Sequence, residues 1–86
     1  MNIEVRLFGA FRAFDPDARV VLELPDGAIV GDVRAALRRY GETHWSGFGP
    51  GLLARSAFAS ETSVLHDREP VPQTGRLAVL PPVSGG

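Results

Sequence analysis

The chain has 86 residues, 44% hydrophobic and 22% charged, with a formal net charge of −1. That length sets one domain with a single modest core, burying roughly 60% of the surface that the unfolded chain exposes. The absence of cysteine excludes disulfides, thiolate catalysis, Cys-ligated zinc and iron–sulfur clusters, and the nine basic residues, all arginine, form no basic stripe of the kind nucleic acids require.

Ile3, Val5 and Leu7 alternate with Glu4, Arg6 and Phe8, the pattern of a half-buried strand over residues 3–8. Phe8 breaks it by placing an aromatic on the polar face. Two readings stay open: Gly9-Ala10-Phe11 or a loop covers the ring, or the ring is a partner-binding patch. Asp15-Pro16-Asp17 reads as a turn, and residues 19–24 as a second strand ended by Pro25-Asp26-Gly27. Two strands a turn apart predict an antiparallel hairpin.

Val30, Val33, Ala36, Leu37 and Tyr40 share one helical face, with Asp32, Arg34, Arg38 and Arg39 on the other. The predicted helix covers 30–40, stopped by Gly41, with Arg38 and Arg39 at the end where cations suit the helix dipole. Residues 42–51 read as a glycine-rich loop in which Trp45 and Phe48 cap the open end of the core. Its Gly-Phe-Gly-Pro-Gly stretch lacks the Lys-Ser/Thr pair of a phosphate loop. A third extended segment over 54–65 is anchored by Phe58, Val64 and Leu65. Turns at 67–70 and 73–75 then lead to a last strand, 76–80, which Pro81-Pro82 ends. A hairpin, one crossover helix and returning strands predict an α+β sheet of four to five strands with the helix on one face, a domain over 1–80 and a tail over 81–86.

Other functions find little footing. His44 and His66 are far apart with no third ligand in a recognisable spacing, so no metal site is expected. No apolar run is long enough to span a bilayer, and the first residues lack a signal peptide's basic and apolar regions. A cytoplasmic protein is therefore expected, without membrane or nucleic-acid partners. With no lysine, the chain cannot build lysine-linked chains of itself.

The tail, Pro81-Pro82-Val83-Ser84-Gly85-Gly86, begins stiffly and ends without side chains. Two prolines favour an extended form, six such residues reach about 20 Å, and two glycines can thread a narrow channel. The reactive group expected there is the α-carboxylate of Gly86. Adenylation with ATP would make its oxygen a leaving group, and a sulfur nucleophile would then give a thiocarboxylate for delivery inside a partner's sheltered site. The chain shows no acid–base groups of its own for this, so partners supply the ATP binding and the catalysis, and no cofactor is bound by the chain itself. A terminal diglycine alone reads more readily as a frayed end. The stiff connector following a well-formed strand favours the chemical reading.

The ending from Leu77 to Gly86 resembles the C-terminal signature of the MoaD family, the small subunits of molybdopterin synthase, and Val5-Arg6-Leu7-Phe8-Gly9-Ala10-Phe11-Arg12 is similar to that family's first strand and turn. The resemblance covers the whole chain and is specific in the tail. It implies a ubiquitin-like β-grasp fold with a flexible diglycine tail. It also implies adenylation of Gly86 by a MoeB-like enzyme, thiocarboxylate formation, and entry of the loaded tail into a MoaE-like large subunit in a heterotetramer. There, sulfur would pass to cyclic pyranopterin monophosphate. Gly85 and Gly86 would be the reacting end, and Phe8, Leu80 and Val64, with Pro81, Pro82, Val83 and Ser84, the partner-binding residues. The sequence departs from the family at the turn Gln73-Thr74-Gly75-Arg76, which lacks its acidic residues, at Glu61, which replaces an Asn of its third strand, and in loop 42–51. Rival readings are a ThiS-like or other thiocarboxylate carrier, for thiazole or cysteine synthesis, a ubiquitin-like protein modifier, and a plain interaction module.

Overall fold

A computed structural model describes residues 1–82. Strand β1, Asn2–Leu7, turns Ile3, Val5 and Leu7 wholly inward, and β2, Arg19–Glu23, does the same with Val20 and Leu22. The two pair antiparallel from Asn2↔Glu23 to Arg6↔Arg19, as the sequence predicts. Their connection is more than a turn. A 3-10 helix, Gly9–Phe14, drives Phe11 into the core at 0% exposure, and Asp15 then accepts the Asp17 N–H at 3.0 Å through its carboxylate.

Helix α1, Val30–His44, buries Val30, Val33, Leu37 and Gly41. Its N-terminal donors are met partly from within the helix and partly from the turn over 67–69. The Asp32 carboxylate accepts the Ile29 N–H at 3.0 Å, and the Val30 and Gly31 N–H groups donate to the Glu69 and Asp67 carbonyls at 2.9 and 2.8 Å. The expected stop at Gly41 does not occur, and α1 runs on to His44. Gly41 serves packing instead: a Cβ there would lie 2.9 Å from the Trp45 ring and 3.1 Å from that of Phe48. Arg38 and Arg39 consequently sit inside the helix, where Arg38 pairs with Glu42 one turn on at 3.3 Å. Trp45 does cap the core, stacked on Phe14 at 5.0 Å between ring centroids with Phe48 edge-on at 5.6 Å.

The last two residues of the expected loop, Pro50 and Gly51, join the residues up to Ala54 in a short helix, α2, Pro50–Ala54, begun by a proline where no N–H is needed and anchored by buried Leu53. The expected extended segment 54–65 is therefore shorter and divided into β3, Ala57–Ala59, and β4, Val64–Leu65, around a turn closed by Ser60. Glu61 lies in that turn rather than in a strand. Strand β5, Arg76–Leu80, pairs parallel with β1 and antiparallel with β3.

The sheet order is β2-β1-β5-β3-β4, so the first and last strands are parallel neighbours at its centre. Periodicity cannot reveal that pairing. Phe58, Val79, Val5 and Leu37 meet in one core between the sheet and α1. A mixed five-stranded sheet grasping one main helix is the ubiquitin-like β-grasp fold.

One arginine ties the periphery to this core. Arg34 on α1 donates through Nη1 to the carbonyls of Leu53 and Ser56 at 2.6 and 2.9 Å, and through Nε and Nη2 to the Asp67 carboxylate at 3.0 and 2.9 Å. Its guanidinium carbon lies 5.0 Å above the buried ring of Phe58. These bonds hold the carboxyl of Asp67 below its ordinary range, against an opposing contribution from desolvation.

Candidate functional site

Burying one face of the sheet under α1 leaves the other open, and the registers show what it carries. Arg19, Arg6, Ala78, Ala59 and Val64 align in one row across all five strands. The row is basic at the β2 edge and apolar from β5 outward. Leu80 and Ala57 are paired in the next apolar row, and Phe8 and Leu80 each stand one position beyond the last β1–β5 pair, Leu7↔Val79.

Phe8 is 42% exposed and Val64 64% exposed. Gly9-Ala10-Phe11 does not shield Phe8, because the 3-10 helix sends Phe11 into the core instead. Leu80 is half-buried beside the small side chains of Ala78 and Ala57. The result is a shallow apolar surface at the end of the sheet where β5 gives way to Pro81. Ion pairs line its polar margin: Arg19 with Glu4 at 3.5 Å and Arg76 with Glu61 at 3.9 Å, both too exposed to contribute much stability.

Of the residues expected to bind a partner, Phe8, Leu80 and Val64 share this open face, with Val64 at its far edge on β4. Pro81 is half-buried and Pro82 exposed. Val83, Ser84, Gly85 and Gly86 lie outside the described residues. Sequence reasoning missed Ala57, Ala59 and Ala78, whose signal was the alternation around Phe58 and Val79, and it missed Gly9 as a neighbour of Pro81. Among the described residues no three His, Asp or Glu side chains gather as a metal site, and no helix is long and apolar enough to cross a membrane.

The described residues thus place an open apolar face beside the end of β5 and the Pro81-Pro82 segment that follows it. Similarity to known proteins agrees with this form. The model of the ThiS family matches residues 5–86. The molybdopterin synthase sulfur carrier subunit of Synechococcus elongatus is 36% identical over 87 aligned positions, covering 99% of this chain and 97% of that protein. Among solved structures, SAMP1 from Haloferax volcanii superposes with a TM-score of 0.70 at 25% identity, with both chains fully covered. The chain thus belongs to the ThiS family, within the MoaD/ThiS superfamily that its ending resembles.

Proposed function

We propose that the chain is the sulfur-carrier small subunit of a molybdopterin synthase, and is not an enzyme by itself. The observation that carries this reading is the full-length similarity to a molybdopterin synthase sulfur carrier subunit, joined to a fold that roots the terminal segment beside an exposed apolar face. The family match reaches residue 86, so the diglycine belongs to the matched region.

In this function the Gly86 carboxylate attacks the α-phosphate of ATP on a MoeB-like enzyme, with pyrophosphate as leaving group. A sulfur nucleophile then displaces AMP and leaves a thiocarboxylate. Phe8, Leu80 and Val64 dock the open face on a MoaE-like large subunit, within a heterotetramer, while Pro81 to Gly86 enter its pocket. There the sulfur is transferred to cyclic pyranopterin monophosphate, sheltered from water. ATP belongs to the activating partner and the chain binds no cofactor; the cytoplasm supplies both partners.

The chain incubated with ATP, a MoeB-like enzyme and a sulfur donor should gain about 16 Da, one oxygen exchanged for sulfur. No gain with an activator that loads another carrier would refute the reading. The match to the ThiS family favours a second reading, a carrier for a different acceptor such as a thiazole precursor. Molybdopterin formation by the loaded chain with a large subunit separates the two.

A further inference from the structure

The parallel strands β1 and β5 separate after Leu7 and Val79: one chain curls into the 3-10 helix and the other continues through Leu80 to Pro81. They meet once more at Gly9. Its φ of +57° lies in the left-handed region, and a Cβ built there would stand 2.5 Å from Pro81 Cγ and 3.2 Å from Cδ. No real Cβ tolerates 2.5 Å, and a proline ring cannot swing aside as a flexible side chain does. The bare face of Gly9 is therefore the seat of Pro81.

We propose that Gly9 is a positioning residue for sulfur transfer: by lacking a side chain it seats Pro81 against the turn after β1, and the seat fixes the point from which residues 83–86 start relative to the docking face. The inference rests on the carrier reading above. Phe8 is the immediate neighbour of Gly9, so one turn joins the docking aromatic to the root of the reacting segment. A partner that grips Phe8 then receives the segment at a set offset. Small misplacements of a reacting group cost large factors in rate, so this seat acts on the chemical step more than on association.

A double-mutant cycle in the full chain tests it. Asn accepts the left-handed region, so Gly9→Asn adds the obstructing Cβ with little backbone strain, and Pro81→Ala removes the ring atoms it would strike. Once thiocarboxylated, Gly9→Asn should lower kcat for sulfur transfer on a MoaE-like large subunit about tenfold while KM for the carrier moves less than about twofold. In the Pro81→Ala background the same substitution should change kcat by less than about twofold. Nuclear Overhauser contacts between the Gly9 α-protons and the Pro81 ring should be present in the wild type, and melting curves confirm that each variant is folded. An equal loss in both backgrounds, a change in KM alone, or missing contacts would overturn the proposal. A wild-type chain that cannot be loaded overturns the carrier reading instead, since loading of the wild type does not depend on the cycle.

Discussion

Replacing Arg34 with Met keeps an apolar stem over Phe58 and removes the guanidinium, which separates this residue's charge from its bulk. Two part-buried carbonyls, of Leu53 and Ser56, lose a charged donor at 2.6 and 2.9 Å. Each loss costs about 1 kcal/mol or somewhat more, since water reaches these carbonyls only in part. The Asp67 side chain is half exposed, so its pair contributes under about 1 kcal/mol. The cation–π contact adds about 0.5–1 kcal/mol. Together Arg34→Met should cost about 3 kcal/mol, lowering Tm by about 12–24 °C in a domain of this size. Asp67→Asn, which leaves both carbonyl bonds, should cost under about 1 kcal/mol. The Asp67 carboxyl titrates below its ordinary value of 3.8 when folded, chiefly through the Arg34 hydrogen bonds. Its contribution is thus fully present well above pH 3.8 and is lost as pH falls through the lower, folded value, so wild type and Asp67→Asn should converge in strong acid. Urea unfolding followed by the single tryptophan, buried Trp45, reads all of this. A cost for Arg34→Met below about 1 kcal/mol at neutral pH, or equal costs for the two variants, would refute the assignment of its role to the carbonyl clamp.

Phe8→Ala should weaken binding to a MoaE-like large subunit by about 2 kcal/mol or more, roughly thirtyfold by calorimetry, with a change in monomer stability under about 1 kcal/mol because the residue stands outside the core and is already 42% exposed. Unchanged affinity would remove Phe8 from the docking face. Deleting Gly86 should abolish the gain of about 16 Da on loading and leave the melting temperature unaltered, since the core closes at Val79; a marked drop would mean that the terminus stabilises the fold. Gly41→Ala improves helix propensity by about 1 kcal/mol, yet should destabilise the chain by about 1–2 kcal/mol, because its Cβ would press on the Trp45 and Phe48 rings. A stabilised variant in thermal unfolding would show those rings yielding.

The strands that alternate were legible because period two and burial agree. Ile3-Val5-Leu7 and Leu77-Val79 declared their inward faces, and Phe8 was conspicuous as the aromatic on the wrong side. Gly41 misled because local propensity marks glycine as a helix stop, whereas the space it vacates is taken by two aromatic rings from the following loop. Helix α2 was hidden since Pro50 and Gly51 read as loop residues, though proline at a first turn is compatible with a helix. The open face was half legible. Its large members stood out, while Ala57, Ala59 and Ala78 acquire a role only when the β5–β3 register sets them side by side. Arg34 gave no signal in sequence, because its four acceptor atoms come from three segments that only the fold assembles.

The central parallel pair ties maturation to translation. β1 is made first and β5 last, yet β5 alone joins β1 to β3. A chain that stops before Arg76 holds two separate two-stranded ribbons, β1–β2 and β3–β4, with no strand to join them, and two-stranded ribbons are marginal on their own. Nor can the nascent chain close its sheet while β5 is still inside the ribosome, so folding waits until synthesis has passed the strand that bears Leu80 and, directly after it, Pro81. Pairing so distant in sequence also folds more slowly than local structure. Any copy with the complete five-stranded sheet has therefore been synthesised at least through Leu80, because only β5 sets Leu80 one step beyond the β1–β5 pairing, beside Phe8.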